Sequence, residues 1–178
     1  FMEKDITGLP PHQICRQGIA RIFQLVKPFH QLTTLQNVMV GRAYGKDPAS
    51  NIRKAKEEVV EILNFVGLGN KSEVLASQLT MAERKRLELA RALAAHPQLL
   101  LLDELMAGLN SAETEIAMEL VRKIKGSGIT VIMVEHIMKA VLGISDRVMV
   151  LNVGMKIAEG PPKEVVKNQQ VIEAYLGK

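Results

Sequence analysis

The stretch Leu99-Leu100-Leu101-Leu102-Asp103-Glu104 decides the fold class of this chain. An uninterrupted aliphatic run is typical of a central parallel strand buried on both faces, and acids at its exit place carboxylates at the carboxyl edge of the sheet. There an aspartate can hold a magnesium ion through its water shell, and a neighbouring glutamate can orient or deprotonate an attacking water. The simpler interpretation is a strand that ends in two solvated acids, so the choice depends on the rest of the chain.

The composition predicts one α/β domain with an aliphatic core. The 178 residues are 47% apolar, yet they include only four phenylalanines, two tyrosines and no tryptophan. Such a core suits helices packed on a sheet. The net charge of +4 is mild, and the basic residues at 53–56 and 84–86 are interleaved with acids. We therefore expect solvated helix faces there and no nucleic-acid partner.

Cysteine and histidine usage argues against a secreted or zinc-stabilised fold. Cys15 is the only cysteine, so no intrachain disulfide can form and a reducing cytoplasm fits. The histidines show no paired ligand spacing and have no cysteine cluster beside them. Residues 1–5 do not have the pattern of a signal peptide, and no apolar run approaches the roughly twenty residues that span a bilayer. If membranes are involved, we expect another polypeptide to cross them.

The first half of the chain predicts one strand followed by helices. Residues 18–23 predict a short strand. Thr34 is placed to cap a short helix that continues through Val40. Apolar residues at helical spacing predict an amphipathic helix over residues 50–66, with Ile52 on its apolar side. A further helix over residues 81–95 precedes the leucine strand.

The second half predicts a parallel crossover and a terminal hairpin. A helix over residues 111–125 connects the leucine strand to a strand over residues 129–134, and strand, helix, strand is the parallel crossover unit. The predicted elements that follow are a short helix reaching Gly143, a hairpin of residues 147–152 and 155–158, and small helices starting at Pro161 and Val171.

Five short motifs follow one another along the chain. They are Gln24 after the first strand, Leu79-Thr80-Met81-Ala82-Glu83 before a basic helix, the leucine strand with its acids, Gly108-Leu109-Asn110, and Val134-Glu135-His136. Each motif is weak by itself, yet in this order and spacing they resemble the ATPase domain of ATP-binding cassette (ABC) transporters over almost the whole chain. Within that superfamily, residues 84–93, 106–110 and 171–177 look like the ATP-binding subunit of branched-chain amino acid importers.

The resemblance implies an α/β fold with a particular organisation. It implies part of a P-loop NTPase (RecA-like) parallel sheet core with an inserted helical subdomain. Residues 1–24 and 97–178 would form the portion of the RecA-like core, and residues 25–96 the helical subdomain that carries the signature segment. Together these segments would make one ABC ATPase domain.

The resemblance also implies roles at the predicted sheet edge, with ATP and magnesium as cofactors. Asp103 would hold magnesium through water, Gln24 would sense the metal and the attacking water, and Glu104 would be the general base. His136 would be catalytic with Glu104, as a hydrogen-bond donor to the terminal phosphate. Simpler alternatives stay open: a strand-end histidine satisfied by a backbone carbonyl, and a glutamine that follows a strand without a role.

The segment before the basic helix has both a structural and a functional interpretation. Thr80 and Glu83 have the spacing of a capping box, Thr-x-x-Glu. The resemblance adds that Thr80, Met81, Ala82 and Glu83, together with Asn110, contact a nucleotide held by a second subunit. Met81 and Ala82 replace the glycines usual in the family, and Glu83 brings negative charge near the phosphate. We therefore expect a weaker partner contact unless that carboxylate folds back into its cap.

A phosphate-binding loop is absent from these 178 residues. No GxxxxGK[ST] sequence occurs, and the nearest stretch, residues 41–47, is one residue short and follows a helical pattern. In the resembling family this loop precedes the position of Phe1, so the chain is expected to lack its amino-terminal portion. Alone it would bind ATP poorly and hydrolyse it negligibly, because Asp103 and Glu104 have no positioned phosphate.

The function predicted from these observations is that of an ATP-binding and ATP-hydrolysing subunit of an ABC importer, with branched-chain amino acids as the expected cargo. Its expected partners are a second ABC ATPase subunit, identical or not, and transmembrane permease subunits, at the inner face of the cell membrane. The alternative is a non-catalytic remnant that acts as an interaction module with a membrane subunit. A cassette ATPase of DNA repair or translation is disfavoured, because residues 25–78 leave no room for a coiled-coil arm.

Overall fold

The computed structural model describes residues 1–176, which divide into two compact units. The first unit covers Phe1–Val134, and the second begins at Glu135. Among the described residues, no helix combines the length and the apolar character needed to cross a bilayer.

A parallel sheet with the leucine strand at its centre organises the first unit. Its described strands are β1 (Ile19–Ile22), β2 (Leu99–Asp103) and β3 (Thr130–Val134), in the order β1-β2-β3. Both pairings of β2 are parallel. The prediction of a central parallel strand that delivers two acids to one edge is therefore confirmed.

One face of β2 is more open than its sequence predicts. Leu100 and Leu102 are fully buried, whereas Leu101 is only partly buried. Leu101 lies in register between Arg21 of β1 and Ile132 of β3, and both of these side chains are exposed. The expectation of burial on both faces is wrong for this face, because none of the described residues covers it: the polar Arg21 and the apolar Ile132 are both exposed there.

The first unit also contains helices. They are α1 (Pro11–Arg16), α2 (Thr34–Tyr44), α3 (Ile52–Phe65), α4 (Met81–Leu93) and α5 (Ser111–Gly126), with short 3-10 turns at Gly69–Lys71 and Ala76–Gln78. The helices α2, α3 and α4 enclose a core of small and aliphatic side chains: Leu35, Val38, Val59, Leu63, Val66, Leu68, Ala76, Leu79, Leu87, Ala90 and Ala94. The α1 helix has no counterpart in the sequence prediction.

The start of α2 differs from the prediction by one residue. The N-cap is Thr33, whose hydroxyl oxygen accepts from the Gln36 N–H at 3.2 Å, while the Gln36 side chain accepts from the Thr33 N–H at 2.9 Å. Thr34 is instead buried, and its hydroxyl donates to the Val74 carbonyl at 3.0 Å. Thr33 is the N-cap because Gln36, at the third helical position, completes a capping box with it.

The amphipathic helix α3 is confirmed, with one error on its apolar side. Asn51 caps it by accepting from two backbone N–H groups. Ala55, Val59 and Leu63 are buried as the spacing predicts, but Ile52 is 81% exposed. Ile52 belongs to the first turn, which lies outside the packed core.

Gly41 in α2 and Gly45 at its C-cap allow α2 to lie close to the end of α4 and the residue Ala95 that follows. A Cβ added at Gly41 would lie 2.1 Å from the Arg91 carbonyl oxygen, and one at Gly45 would lie 2.4 Å from Ala95 Cα. Real Cβ atoms do not come this close to backbone, so only glycine fits at these positions. The stretch 41–47, which superficially resembles a phosphate-binding loop, therefore serves helix packing.

The second unit contains two helices, a hairpin and a terminal helix in its described part. Their bounds are α6 (Met138–Ile144), β4 (Val148–Asn152), β5 (Met155–Gly160), α7 (Pro162–Val165) and α8 (Gln169–Leu176). The strands β4 and β5 pair antiparallel around Val153 and Gly154, both with positive φ. Positive φ at both central residues suits a tight hairpin turn. The predicted terminal hairpin is confirmed.

We predict that Gly41→Ala destabilises the chain, because its methyl group would overlap the Arg91 carbonyl and force α2 away from α4. The expected loss is about 1–3 kcal/mol of unfolding free energy, measured by urea denaturation. Gly126→Ala is the matched control, since a Cβ there meets nothing within 4 Å. An equal effect of both substitutions on stability would contradict the close-packing argument.

Candidate active site

The catalytic candidate Glu104 occupies an uncommon backbone conformation directly after β2. Its φ is 48°, in the left-handed region, and its N–H donates to the Val134 carbonyl at 2.9 Å. For a residue other than glycine, this conformation costs about 1–2 kcal/mol of free energy, and it persists only where surrounding contacts fix it. Such residues concentrate at functional sites, which favours a role for Glu104 beyond ending a strand.

A buried lysine of α4 holds this turn. Lys85 is only 4% exposed, and its ammonium group donates to the Glu104 carbonyl at 3.1 Å and to the Leu105 carbonyl at 2.8 Å. The prediction that the basic residues 84–86 form a solvated face is wrong at Lys85. The two carbonyls supply the hydrogen bonds that make burial of this cation tolerable.

Gln24 and Glu104 meet at the carboxyl edge of the sheet. The Gln24 amide Nε2 donates to Glu104 Oε2 at 2.6 Å, although 80 residues separate them in sequence. They meet because β1 and β2 are parallel neighbours whose carboxyl ends lie together. The structure thus brings together two residues that the sequence singled out separately.

Asp103 lies at the same edge and is paired with a residue that sequence reasoning missed. Arg21 Nη2 contacts Asp103 Oδ2 at 2.8 Å, with side chains 51% and 31% exposed respectively. The guanidinium also lies 4.6 Å from the centroid of the Phe23 ring. Because both partners are solvated, this ion pair is worth little in stability, but it compensates the Asp103 charge.

The loop that follows Gln24 is anchored by α4. Glu88, only 5% exposed, accepts the Lys27 N–H at 2.7 Å through Oε1. Arg91 bonds the same Glu88 oxygen at 3.2 Å and lies 5.5 Å from the centroid of the Phe29 ring. Burial raises the pKa of Glu88, and the Lys27 N–H and the nearby cations of Arg91 and Lys85 oppose this rise.

A buried asparagine of α2 fixes the far end of this loop. Asn37 has no exposed surface; its Oδ1 accepts the Phe29 N–H at 2.8 Å, and its Nδ2 donates to the Phe29, Leu32 and Thr33 carbonyls. The two amide hydrogens are shared among three carbonyls, and the amide oxygen uses one of its two acceptor positions. The loop between Gln24 and α2 is therefore held at two points.

The capping box at the start of α4 is confirmed. Thr80 Oγ1 accepts the Glu83 N–H at 3.3 Å, and Glu83 Oε2 accepts the Thr80 N–H at 3.0 Å. The other Glu83 oxygen bonds Lys71, and this hydrogen bond is the main cause of a lowered Glu83 pKa. Glu83 thus folds back into its cap, the condition under which its charge does not oppose a phosphate.

Asn110 caps α5 in the same manner. Its Oδ1 accepts the Glu113 N–H at 3.0 Å, and Glu113 Oε2 accepts the Asn110 N–H at 2.9 Å. A cavity of about 200 Å³ is lined by Thr80, Ala82 and Glu113 among other residues. The two capped helix starts therefore border one cavity. The sequence motif Asn-x-x-Glu could have predicted this second capping box.

His136 follows β3 by two residues and belongs to the second unit. Its side chain is exposed. The role assigned to it by resemblance stays a prediction.

The charged residues that sequence reasoning missed share a detectable signal. Lys85, Glu88 and Ala92 recur at the spacing of one helix face, and the face includes the apolar Leu89. Two charges within an otherwise apolar stripe indicate buried, partnered groups rather than a solvated face. Their partners lie far away in sequence, so the pattern could indicate burial but could not identify what each charge binds.

The donor atoms at the sheet edge suit a metal that is bound mainly by its nucleotide. Among residues 1–176, no group of three or more histidine, cysteine, aspartate or glutamate side chains is placed to hold a metal ion. Asp103 offers carboxylate oxygen, the ligand that magnesium prefers, and magnesium commonly uses one or two carboxylates plus phosphates and water. The residues present therefore fit magnesium that arrives with a nucleotide.

Comparison with known proteins identifies the family. The family model described as ABC transporter matches residues 1–107, more than half of the chain. The chain belongs to the ABC transporter family. Members of this family bind nucleotide and are ATPases, and a second family model, described as branched-chain amino acid ATP-binding cassette transporter, matches residues 155–178 of this ABC chain.

Individual ABC proteins agree with this assignment. The high-affinity branched-chain amino acid transport ATP-binding protein LivG of Escherichia coli strain K12 is 36% identical, over 98% of this chain and 74% of LivG. BraF of Pseudomonas aeruginosa, with the same description, is 36% identical over 98% of this chain and 73% of BraF.

Solved structures place the fold among ABC cassettes. The crystal structure of the ADP conformation of MJ1267, an ATP-binding cassette of an ABC transporter, has a TM-score of 0.87 at 30% identity. The match covers 100% of this chain and 76% of MJ1267. The predicted α/β, P-loop NTPase class is thereby confirmed.

We predict that the Lys71–Glu83 pair stabilises the fold in a pH-dependent way. The folded-state pKa of Glu83 is lowered, so its contribution is present above the unfolded pKa and is lost as pH falls through the folded one. A double-mutant cycle with Lys71→Met and Glu83→Gln should give a coupling of up to about 1 kcal/mol near neutral pH, decreasing below about pH 5.

The matched control for this cycle is the Arg53–Glu57 pair, whose side chains are 90% and 63% exposed. Its coupling should be at most a few tenths of a kcal/mol, roughly the value of an exposed helix pair. Urea denaturation at several pH values measures both couplings. A Lys71–Glu83 coupling that grows as pH falls would contradict the assigned direction of the pKa shift.

Proposed function

We propose that this chain supplies the catalytic and signature segments of the ATP-binding subunit of a branched-chain amino acid importer. The observation that carries the proposal is the Gln24–Glu104 contact of 2.6 Å at the sheet edge, next to Asp103. The descriptions of LivG and BraF support the cargo class. In this proposal residues 1–24 and 97–178 form the core portion and residues 25–96 the helical subdomain.

Glu104 acts as the general base in this proposal. Its carboxylate accepts from the Gln24 amide, and a carboxylate so oriented can take a proton from an attacking water. Asp103 would hold magnesium through water, and Gln24 would lie near this metal. Arg21 would have to release the Asp103 carboxylate. The magnesium would neutralise charge on the nucleotide phosphates. His136 would donate a hydrogen bond to the terminal phosphate as the reaction proceeds.

The start of α4 contacts the nucleotide of a second subunit in this proposal. Thr80, Met81, Ala82 and Glu83 lie at the N-cap and first turn of a 13-residue helix, where free N–H groups and the helix dipole favour anions. Asn110 serves the same contact; it caps α5, whose Glu113 lines the same cavity as Thr80 and Ala82.

The proposed partners follow from this arrangement. A second ABC ATPase subunit, identical or homologous, would hold the nucleotide that the α4 start contacts. Transmembrane permease subunits would carry the cargo, and the chain would lie peripherally on the inner face of the cell membrane. The loop after Gln24 is the segment that we assign to contact with a permease.

We predict that a chimera of this chain and LivG transports leucine. The chimera joins residues 1–178 to the part of Escherichia coli LivG outside the match, in cells that lack LivG. Glu104→Gln should lower leucine uptake at least about 100-fold, because it removes the general base. Glu61→Gln, at an exposed carboxylate of α3, is the control and should leave uptake unchanged. A chimera that is present at normal level yet imports no leucine would refute the proposed cargo class.

We also predict that the 178-residue chain alone shows no magnesium-dependent ATP turnover, because it contains no GxxxxGK[ST] loop to position the phosphates. The measurement is phosphate release by the purified chain and by its Glu104→Gln variant, which should give equal background rates. Turnover that Glu104→Gln abolishes would contradict this prediction while supporting Glu104 as the base.

A further inference from the structure

The helix α4 carries two buried charges on one face. Lys85 and Glu88 are one turn apart, and they are 4% and 5% exposed. Burying a charged group is costly unless hydrogen bonds compensate it. The apolar neighbours Leu87 and Leu89 show that this part of α4 could be buried without charges. The contacts of Lys85 and Glu88 therefore indicate what these buried charges do.

Lys85 acts on the backbone that presents Glu104. Its ammonium bonds the carbonyls of Glu104 and Leu105, the two peptide groups that follow the left-handed residue. On the other side, the Glu104 N–H bonds the Val134 carbonyl of β3. The Glu104 backbone is thus fixed from both α4 and β3, which is what a strained φ requires in order to persist.

Glu88 acts on the segment that presents Gln24. Its Oε1 accepts the Lys27 N–H at 2.7 Å, and Arg91 Nη1 approaches the Lys27 carbonyl at 3.4 Å. Both polar groups of the Lys27 backbone are therefore held from α4, three residues after Gln24. Glu88 Oε2 makes no hydrogen bond to the described residues, and the bonds from the Lys27 N–H and from Arg91 both go to Oε1.

We propose that Lys85 and Glu88 are positioning residues that set the Gln24–Glu104 contact from a single face of α4. Each holds the backbone of one of the two segments whose side chains meet, so their spacing on the helix fixes the spacing of those segments. The proposal rests on the proposed function, because the contact matters only if Glu104 acts on a nucleotide. Neither residue touches the reacting atoms, so neither is catalytic.

The first test is amide hydrogen exchange in the 178-residue chain. Lys85→Met should speed exchange at Glu104 and Ala107, whose N–H groups lie in the held turn, by about tenfold or more. Glu88→Leu should do the same at Lys27, whose N–H donates to Glu88 in the original chain. Exchange at Leu100 and Leu102 should stay slow, which shows that each variant is folded.

Conservative and control variants complete this test. Lys85→Arg and Glu88→Gln keep a donor and an acceptor, and they should return exchange to within about threefold of the original chain. Arg86→Met is the matched control, because Arg86 also lies on α4 but donates to the Val66 and Gly67 carbonyls. If Lys85→Met and Glu88→Leu leave their segments as protected as Arg86→Met does, the proposal is overturned. If Lys85→Met or Glu88→Leu does not fold, the conservative variant at the same position decides the question. Loss of protection in the folded Lys85→Arg or Glu88→Gln variant also overturns the proposal.

The second test uses ATP hydrolysis by the LivG chimera assembled with its permeases. Lys85→Met should lower kcat about tenfold or more while KM for ATP stays within about twofold, because a displaced base slows the chemical step without removing a nucleotide contact. Lys85→Arg should restore kcat. A raised KM with unchanged kcat would refute the positioning role. An original chimera that neither hydrolyses nor transports would refute the proposed function, and hydrogen exchange would still decide the inference.

Discussion

The structure depends on the burial of α4. This helix packs against α2 at a distance that only glycine permits at Gly41 and Gly45, and it also contacts β1. Once α4 is fixed in this position, its side chains reach the turn after β2 and the loop after β1. The geometry of the sheet edge is therefore determined as much by a helix outside the sheet as by the strands themselves.

Two kinds of force act on α4, and they are not interchangeable. Aliphatic contacts among α2, α3 and α4 are non-directional, and they stabilise the core without choosing an exact rotation of the helix. The bonds of Lys85 and Glu88 to named carbonyl and N–H groups are directional, since they fail if the helix turns by a fraction of a residue. Buried polar contacts of this kind contribute to the uniqueness of a structure more than to its total stability.

The features that the sequence predicts well are those with a local cause. The leucine strand, the α4 capping box and the β4–β5 hairpin each depend on residues within a few positions of one another. The features that it predicts poorly have partners far along the chain. The open face of β2 depends on Arg21 and Ile132, and the burial of Lys85 depends on carbonyls about twenty residues away. The sequence places the α2 cap one residue too late, because two adjacent threonines both suit the N-cap position and only Thr33 has a glutamine at the third helical position.

The pairing of Arg21 with Asp103 changes the electrostatics of the sheet edge. Two adjacent acids would repel each other if both were bare, but here one carboxylate is matched by a guanidinium on the adjoining strand and the other accepts an amide hydrogen. A divalent ion that reaches Asp103 therefore exchanges one counter-charge for another instead of meeting an isolated anion. Displacing the arginine offsets part of the Coulomb attraction between the ion and Asp103. The affinity of the sheet edge for a bare ion is therefore lower than its two acids alone would suggest.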